Sequence, residues 1–340
     1  MVFDTKRATR NLDQTHHSIG LIKLPPYRNM TTIYTDIPLV IIQGPTAVGK
    51  SEIAIELAKR FALEIINADS MQVYRGMDIG SAKPSLKERT DVTHHLIDIK
   101  EPDEEFSAAQ FKKEAEKIIV ALAQQSTHAL VVGGTGFYIR ALTKGLFPAP
   151  SADLTLRKEL KEKEKTHGKW HLYKELEKID MEAASNIHPN DTFRIIRGLE
   201  VFYLTGKPIS EQQKKHRFKD TSFNVFKIGL LRDRTDIYHR IEERVDQMIQ
   251  RGLADEIKQL LNRGYPSTCK PFQSLGYKQM LSFIHGKLSL DEAVALIKRH
   301  TKRYAKRQLT WFRNDSEIRW FHLPEQSSEI GEAVRKFLKI

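Results

Sequence analysis

Short continuous apolar runs alternate with stretches of helical spacing in the first part of the chain. Short runs rich in β-branched residues predict buried parallel strands. They lie at residues 38–43, 63–68, 95–99 and 128–132. The stretches 50–62 and 111–124 repeat apolar residues at helical spacing and predict helices. Strands that alternate with helices predict an α/β fold with a doubly wound parallel sheet.

The pattern changes at about residue 143. Residues 143–222 are dense in charge, have helical spacing and contain no strand-like run. The run 226–231 then predicts a strand that returns to the sheet. We therefore predict a helical insertion at 143–222, within a catalytic core formed by 37–142 and 223–340.

The two ends of the chain give weaker patterns. After the returning strand we predict a helical C-terminal region, with helices chiefly at 236–262, 274–284 and 290–312. Residues 1–36 mix charges, prolines and histidines without periodicity. We expect them to form a loosely ordered N-terminal extension, and the sequence leaves open whether residues 1–29 belong to the native protein.

Charge and cysteine content narrow the class of protein. The 340 residues carry a formal net charge of +12, which suits a polyanionic partner but also a merely basic surface. No apolar run approaches the roughly 20 residues of a membrane span. One cysteine, Cys269, excludes an internal disulfide and a cysteine-rich zinc site. We therefore expect a cytoplasmic protein without membrane attachment.

The strongest local signal is a phosphate-binding motif. The segment Gly44-Pro-Thr-Ala-Val-Gly-Lys50-Ser51 matches G-x-x-x-x-G-K-[ST], directly after a predicted strand and before a predicted helix. Its backbone N–H groups and the helix N-terminus favour phosphate oxygens. Lys50 supplies a charge for the phosphates, and the Ser51 hydroxyl is a candidate Mg²⁺ ligand. The motif predicts a P-loop NTPase-like core without identifying the phosphorylated ligand.

The chain lacks the aspartate that P-loop ATPases usually carry at the end of a strand next to the P-loop strand. The strand 128–132 leads into Gly133-Gly134-Thr135 and carries no carboxylate at its end, where such enzymes have an aspartate. Asp69 instead follows the second predicted strand. Ligands of open α/β sheets bind beyond the carboxyl ends of strands, so we expect Asp69 and Thr135 to face the P-loop. Asp69 is alternatively a helix N-cap, and Thr135 a strand-end cap.

An arginine row lies beside the apolar stripe of the predicted helix 236–262. Arg240, Arg244 and Arg251 share one side of this helix, from which they could reach a phosphate. The row is equally consistent with a solvated basic face paired with nearby acids. The sequence does not decide which of the three arginines contacts a diphosphate.

Seven motifs in this order closely resemble the bacterial tRNA dimethylallyltransferases, also called tRNA isopentenyltransferases. They are the P-loop, Asp69-Ser-Met-Gln-Val-Tyr74, Gly76-Met-Asp-Ile-Gly-Ser-Ala-Lys-Pro84, His94-His-Leu-Ile-Asp98, Val132-Gly-Gly-Thr-Gly-Phe-Tyr138, Ser274-Leu-Gly-Tyr-Lys-Gln279 and Lys306-Arg-Gln-Leu-Thr-Trp-Phe-Arg313. The resemblance runs from about residue 38 to 322 and leaves out the N-terminal extension.

The resemblance implies a reaction and its ligands. Members of this family transfer a dimethylallyl group from dimethylallyl diphosphate to N6 of the adenosine at tRNA position 37, which gives N6-isopentenyladenosine and diphosphate. The P-loop would then hold the leaving diphosphate, with Mg²⁺ as cofactor. The diphosphate-binding residues implied are Gly44, Pro45, Thr46, Ala47, Val48, Gly49, Lys50, Ser51 and Arg244. Asp69 would be the general base, and Thr135 would contact the target base or the diphosphate.

The resemblance also implies tRNA contacts. Asp69, Ser70, Met71 and Gln72 would form the pocket for a base flipped out of the anticodon loop. Further contacts to the anticodon stem-loop are implied for Arg157, Phe193, Arg194, Ile195, Ile196, Arg197, Lys306 and Arg307. Helix 290–312 is dense in cations with few acids, which favours an external anion. For Trp311 and Phe312 we expect buried packing rather than base stacking. We expect a monomer.

Other functions remain open from the sequence. An adenylate isopentenyltransferase that modifies free AMP, ADP or ATP would share the core but would not need the insertion or the basic helix. A small-molecule kinase is disfavoured because no lid signature is recognisable. A P-loop RNA-binding protein without transferase activity is disfavoured by the two polar residues, Asp69 and Thr135, at strand ends.

Overall fold

A computed structural model describes residues 36–216 and 223–340. Six strands form one sheet in the order β3-β2-β4-β1-β5-β6, and all neighbours are parallel. The strands are β1 (Pro38–Gln43), β2 (Glu64–Asn67), β3 (His94–His95), β4 (Ala129–Gly133), β5 (Asn224–Leu231) and β6 (Ile318–His322). The predicted P-loop NTPase-like α/β fold is confirmed. The extension predicted for residues 1–36 lies almost entirely outside the described residues.

Fourteen α-helices surround and extend this sheet within the described residues. Those of the first half of the chain are α1 (Lys50–Phe61), α2 (Leu86–Asp91), α3 (Ala108–Gln124), α4 (Gly136–Lys144), α5 (Leu154–His167), α6 (His171–Ile179) and α7 (Met181–Ser185). The others are α8 (Thr192–Thr205), α9 (Ile209–His216), α10 (Arg234–Gln250), α11 (Leu253–Asn262), α12 (Tyr277–Ile284), α13 (Leu290–Arg313) and α14 (Ser327–Leu338). None of these described helices has the length and apolar character needed to cross a bilayer.

The sheet has an apolar core on each face because its central strands are buried on both sides. On one face, α1 and α14 pack through residues such as Leu57 and Val334 against β1 and β5. On the other face, α3, α4 and α13 contribute residues such as Phe111, Ile139 and Ile297. The loops at the carboxyl ends of the strands are therefore held between two layers of helices.

Helices α5 to α9 lie in the segment predicted as an insertion, and they have cores of their own. The main cluster of α5, α6 and α8 contains Leu160, Leu172, Leu176, Ile195, Ile196 and Leu199. In the middle of α8, Glu200 is fully buried and accepts hydrogen bonds from Arg157 and Arg197. Paired charges of this kind hold α5 and α8 together, since an unpaired buried carboxylate is costly.

Several predicted elements have different bounds. The third strand is His94–His95 rather than 95–99, because Leu96 and Asp98 adopt positive φ angles of 61° and 55° that end an extended chain. The helix predicted at 236–262 is two helices, α10 and α11, separated at Gly252 with φ 87°. The helix predicted at 274–284 begins only at Tyr277, after a 3₁₀ turn at Lys270–Gln273.

The prediction that the chain after the returning strand is entirely helical is wrong. Strand β6 pairs in parallel with β5 at the edge of the sheet. It has only five residues, of which Ile318 and Phe321 are buried. A short edge strand with charged residues gives little periodic signal, so its sequence resembles a loop between helices.

Candidate functional site

The carboxyl ends of β2 and β4 meet, and a hydrogen bond joins the segments that follow them. The Ser70 N–H donates to Oγ1 of Thr135 at 3.1 Å, and the Thr135 N–H donates to the Ala68 carbonyl at 3.2 Å. Asp69 lies between these two contacts in sequence. Asp69 and Thr135 therefore lie at the same edge of the sheet, and Asp69 lines the same cleft as Lys50 of the P-loop.

Asp69 does not cap a helix, whereas Thr135 makes a contact of the strand-end kind that the sequence left open. Asp69 is followed by a turn rather than a helix, and its Oδ1 accepts the Met71 N–H at 2.8 Å. Thr135 occupies the N-cap position of α4, but its side chain makes no hydrogen bond to that helix. Its oxygen accepts from Ser70 instead, so the threonine ties two loops together.

The P-loop follows β1 and leads into α1. Gly49 has φ 108° where the loop enters the helix, a conformation that side-chain-bearing residues rarely adopt. The Lys50 Nζ donates to the carbonyls of Gly44 and Pro45 at 3.0 and 2.8 Å. The lysine is thus directed over its own loop, in the position from which it can contact phosphate oxygens.

Two of the three candidate arginines on α10 reach the P-loop. The Arg244 Nη1 donates to Oγ1 of Thr46 at 3.2 Å. The Arg240 Nε donates to the Ala47 carbonyl at 2.9 Å, and its Nη2 pairs with Glu52 at 2.6 Å. Arg251 is exposed at the C-terminal end of α10. Arg244 is the arginine with the fewest competing protein partners beside the loop.

A third arginine at the P-loop, Arg232, was missed by sequence reasoning. Arg232 follows β5, and its Nε donates to the Val48 carbonyl at 3.0 Å. Its guanidinium also pairs with Asp236 at 2.7 Å. The strand-end rule that indicated Asp69 and Thr135 could have indicated Arg232 as well, because it lies directly beyond a strand adjacent to β1.

The site concentrates charge in a poorly solvated place. Burial lowers the pKa of Lys50 to about 7, and the positive charge of Arg244 adds to this effect while Asp69 opposes it. Burial also lowers the pKa of Arg244, with a further contribution from Arg240. The charged forms of Lys50 and Arg244 are destabilised when no anion is bound. A bound polyanion would therefore interact strongly with them.

The carboxyl group of Asp69 is shifted in the opposite direction. Burial raises its pKa, although the Met71 N–H and the charge of Lys50 act to lower it. Burial raises the pKa of Tyr304 on α13 to about 12, and the negative charge of Asp69 adds to this effect. A carboxylate of raised pKa beside a P-loop is a stronger base than an exposed one.

Lys50 and Asp69 line the same cleft, which has a volume of about 50 Å³. Its polar lining includes Lys50, Ser51, Asn67, Asp69 and Gln72. Apolar side chains of α1, β2 and β4 complete the wall: Ala54, Ile65 and Val132. The cleft therefore combines a charged end with an apolar wall, as a ligand with a phosphate head and a short hydrocarbon group requires.

The comparisons with known proteins agree with this geometry. Residues 72–315 match the family described as IPP transferase. The chain belongs to the IPP transferase family. It is 50% identical over 299 residues to a tRNA dimethylallyltransferase of Geobacter metallireducens, which covers 88% of this chain and 97% of that protein. It is 51% identical over 301 residues to tRNA dimethylallyltransferase 2 of Syntrophus aciditrophicus, with 88% and 96% covered.

Solved structures of the family are also similar. The tRNA isopentenylpyrophosphate transferase of Bacillus halodurans has 42% identity and a TM-score of 0.65, over 89% of this chain and 97% of that one. A eukaryotic dimethylallyltransferase acting on tRNA has 28% identity and a TM-score of 0.74, over 88% and 78%. The family resemblance seen in the sequence motifs is confirmed.

The cleft contains oxygen ligands suited to a hard divalent cation. Ser51 lies in the first turn of α1, and both Ser51 and Asp69 line the cleft. Within the described residues, no group of three or more His, Cys, Asp or Glu could hold a metal. Magnesium at phosphate sites usually takes one or two protein oxygens and completes its shell with phosphate and water. The residues present fit a magnesium ion that binds together with a phosphorylated ligand.

Polar side chains hold the loop of residues 78–82 next to the cleft. The Gln72 side chain donates to the carbonyls of Ser81 and Ala82 at 3.1 and 3.2 Å. The Glu256 carboxylate of α11 accepts three backbone N–H groups of residues 78–80 at 2.6 to 3.2 Å. It also accepts the Tyr277 hydroxyl at 2.7 Å. Sequence reasoning assigned no role to Glu256 or Tyr277.

Helix α13 presents different residues to the site and to the outer surface. Burial and the charge of Asp69 raise the pKa of Tyr304, and the Arg307 guanidinium lies 5.7 Å from the centre of the Tyr304 ring. Lys306 and Arg307 are exposed. Phe312 is buried as predicted, but Trp311 is 45% exposed, so the expected burial of the pair is wrong for Trp311. Its indole lies against Gly136, where a Cβ atom would be 2.3 Å from Nε1.

The insertion residues expected to contact tRNA differ widely in exposure. Phe193 is 73% exposed, with the Arg157 guanidinium 5.9 Å from its ring, and Arg194 pairs with Asp191 at the start of α8. The side chains of Ile195 and Ile196 are buried in the core of the insertion, so they cannot touch a partner directly. Of the residues in the motif 193–197, Phe193 and Arg194 are exposed, and Arg197 is partly exposed.

Proposed function

We propose that this protein transfers the dimethylallyl group of dimethylallyl diphosphate to N6 of the adenosine at tRNA position 37. The bond between C1 and the diphosphate oxygen breaks, and a bond between C1 and N6 forms. Diphosphate leaves with the electron pair, and the N6 proton passes to Asp69. The names of the curated relatives at about half sequence identity support this proposal.

The observation that carries the donor assignment is the composition of the cleft. Lys50, Ser51 and Asp69 supply charged and polar groups, and Ala54, Ile65 and Val132 form an apolar wall. Charge develops on the diphosphate as the allylic bond breaks, so preorganised cations and N–H donors lower the barrier. Lys50 and Arg244 supply this charge, and the absence of an acid at the end of β4 fits a diphosphate that leaves intact.

The acceptor side of the proposal depends on Asp69 and Thr135. An exocyclic amine on a purine is a poor nucleophile, so a base near N6 assists bond formation. Burial raises the pKa of Asp69, which increases its basicity. The Thr135 hydroxyl accepts from Ser70 and keeps its own proton to donate to the base or to the diphosphate. Ser70, Met71 and Gln72 continue the pocket for the flipped adenosine.

The proposed tRNA surface comprises the outer face of α13 and the insertion. Lys306 and Arg307 on α13, and Phe193 and Arg194 on α8, are exposed and available to an RNA backbone or base. Arg157 and Arg197 are paired with the buried Glu200. In the proposal they contact tRNA with guanidinium hydrogens that Glu200 does not use, since each guanidinium has five donors.

Mg²⁺ completes the donor site in this proposal. When bound, it neutralises charge on the diphosphate and so makes it a better leaving group. The Ser51 hydroxyl is the side chain that would hold it. We further propose that the protein acts in the cytoplasm as a monomer on the anticodon stem-loop.

The acceptor distinguishes the proposal from the adenylate-modifying alternative. The protein is incubated with dimethylallyl diphosphate, Mg²⁺ and either unmodified tRNA or AMP, and the nucleosides are separated by mass spectrometry. We expect isopentenyladenosine from tRNA and none from AMP at equal concentration. Efficient prenylation of AMP would support the adenylate-modifying alternative, and tRNA binding without any transfer would indicate an RNA-binding protein.

A further inference from the structure

Gln308 lies where α13 passes between the two loops of the site. Its side-chain Nε2 donates to the Gly134 carbonyl at 2.8 Å, and its Oε1 accepts the Thr46 N–H at 2.9 Å. The side chain is 7% exposed. One buried amide therefore joins the P-loop to the Gly-Gly-Thr segment after β4, and the two bonds fix which end of the amide faces which loop.

We infer that Gln308 is a positioning residue that sets the distance between the diphosphate-holding loop and the loop that carries Thr135. The inference rests on the proposed function of those two loops. Gln308 itself touches neither reacting atom in this account. It acts through the backbone of Thr46 and Gly134, and a small error of placement between donor and acceptor is costly in group transfer.

The packing around Gly134 supports this role. A Cβ atom on Gly134 would lie 2.4 Å from Nε2 of Gln308, far inside van der Waals contact. The glycine therefore permits the close approach that the hydrogen bond requires. This accounts for the second glycine of the segment before Thr135.

Thr46 is held from two helices at once. Its N–H is bonded to Gln308 of α13, and its Oγ1 accepts from Arg244 of α10. The Thr46 N–H is consequently occupied by the Gln308 side chain and is not available to a phosphate oxygen. Gln308 thus helps to determine which amides of the P-loop face the diphosphate.

Gln308 also lies on the helix that carries the proposed tRNA contacts. Lys306 and Arg307 immediately precede it and face outward. Because a helix is stiff over one turn, the element that would receive the tRNA backbone also fixes the spacing of the two loops. In this proposal, the position of α13 therefore affects both the tRNA contacts and the loops that hold the donor.

Two substitutions test the inference. Gln308→Met keeps a similar length and loses both hydrogen bonds. Gln308→Glu keeps the acceptor for Thr46 but directs a carboxylate oxygen at the Gly134 carbonyl. Thr310→Ala, on the exposed side of the same helix, is the matched control. Calorimetry with inorganic diphosphate and Mg²⁺ measures the affinity of the donor loop for diphosphate. The single-turnover rate of transfer at saturating substrates measures how well donor and acceptor are placed.

For Gln308→Met we expect diphosphate affinity to fall about tenfold, and the single-turnover rate to fall by about 10- to 100-fold, the range expected for buried hydrogen bonds. Affinity for tRNA should stay within about twofold, as in Thr310→Ala. Unchanged diphosphate affinity and rate in a folded Gln308→Met protein would overturn the inference. A different outcome is that the wild-type protein binds diphosphate more tightly than Gln308→Met and yet transfers no prenyl group. That result would support the positioning role of Gln308 and contradict the proposed function.

The glutamate variant remains informative if the methionine variant does not fold. A protonated carboxyl group can donate to Gly134 and accept from Thr46, as the amide does, whereas the carboxylate cannot. The rate of Gln308→Glu relative to wild type should therefore rise as pH falls from 8 to 5.5. A ratio independent of pH, with unchanged thermal stability, would contradict the positioning role.

Discussion

Oγ1 of Thr135 accepts a hydrogen bond from the backbone N–H of Ser70 at 3.1 Å. This contact joins the ends of two neighbouring strands at the residue that follows Asp69. The base proposed for the reaction and the hydroxyl proposed to contact its substrates therefore have a fixed separation before any ligand binds. Preorganisation of this kind lowers the cost of reaching the transition state.

Asp69→Asn should fold normally and lose most of its chemistry. Asparagine can still accept the Met71 N–H, but it cannot take the N6 proton. We expect the single-turnover rate at saturating tRNA and donor to fall by roughly 10²- to 10⁴-fold, the range of a positioned general base. Thermal unfolding and tRNA affinity should be close to those of wild type. A near wild-type rate would show that the proton leaves to water or to the diphosphate.

Binding of diphosphate should be linked to protonation of Lys50. Its pKa in the free protein is about 7, so at pH 8 most molecules carry a neutral lysine, and a bound anion raises that pKa again. Binding at pH 8 should take up close to one proton, and binding at pH 6 should take up much less at this residue. Calorimetry in buffers of different ionisation enthalpy measures the uptake.

Lys50→Arg provides the comparison, because arginine stays charged throughout this range. Diphosphate itself takes up protons in both proteins. Subtracting the uptake of Lys50→Arg from that of wild type therefore leaves the proton taken up by Lys50. Equal uptake by the two proteins at pH 8 would mean that Lys50 is already protonated in the free site.

Neutral residues at Lys302, Arg303, Lys306 and Arg307 should flatten the salt dependence of tRNA binding. Removing one cation that binds a phosphate reduces the slope of log K against log salt concentration by somewhat less than one unit. Diphosphate affinity should not change. The control replaces four exposed lysines on α1, α2 and α3: Lys59, Lys87, Lys113 and Lys117. If the control flattens the slope equally, the effect reflects net charge rather than a binding surface.

Glu256→Ala should destabilise the protein by about 1–3 kcal/mol, the cost of backbone N–H groups left without an acceptor. Three such groups, of residues 78–80, depend on this carboxylate. Lys258→Ala on the same helix is exposed and should change the free energy of unfolding by less than about 0.5 kcal/mol. Urea unfolding of both variants measures the difference. Equal stability of the two variants would show that the loop satisfies these groups by rearrangement.

Local patterns were sufficient to predict the P-loop and the positions of Asp69 and Thr135 at the ends of neighbouring strands. A phosphate-binding loop has a fixed spacing between a strand and a helix, and the strand-end rule places polar residues of neighbouring strands together without knowledge of packing. The parallel sheet followed from short apolar runs for the same reason. Arg244 was among three candidates that only the direction of side chains on α10 could separate.

The residues that were missed act over long separations along the chain. Gln308 contacts Thr46 across 262 positions, and Arg232 contacts Val48 across 184. Their roles depend on how α13 and the end of β5 pack against β1, which no local periodicity encodes. The exposure of Trp311 was mispredicted for a related reason: its neighbour Phe312 fills the core position, and the helix turns Trp311 toward α4.

The most direct test is to locate the product. Unmodified tRNA is incubated with the protein, dimethylallyl diphosphate and Mg²⁺, digested with a nuclease, and its anticodon fragments are analysed by tandem mass spectrometry. The account predicts one isopentenyl group, on the adenosine at position 37, and its loss when Asp69→Asn replaces the wild-type protein under single-turnover conditions. Modification at other adenosines, or no modification while ATP is hydrolysed in the absence of tRNA, would contradict it.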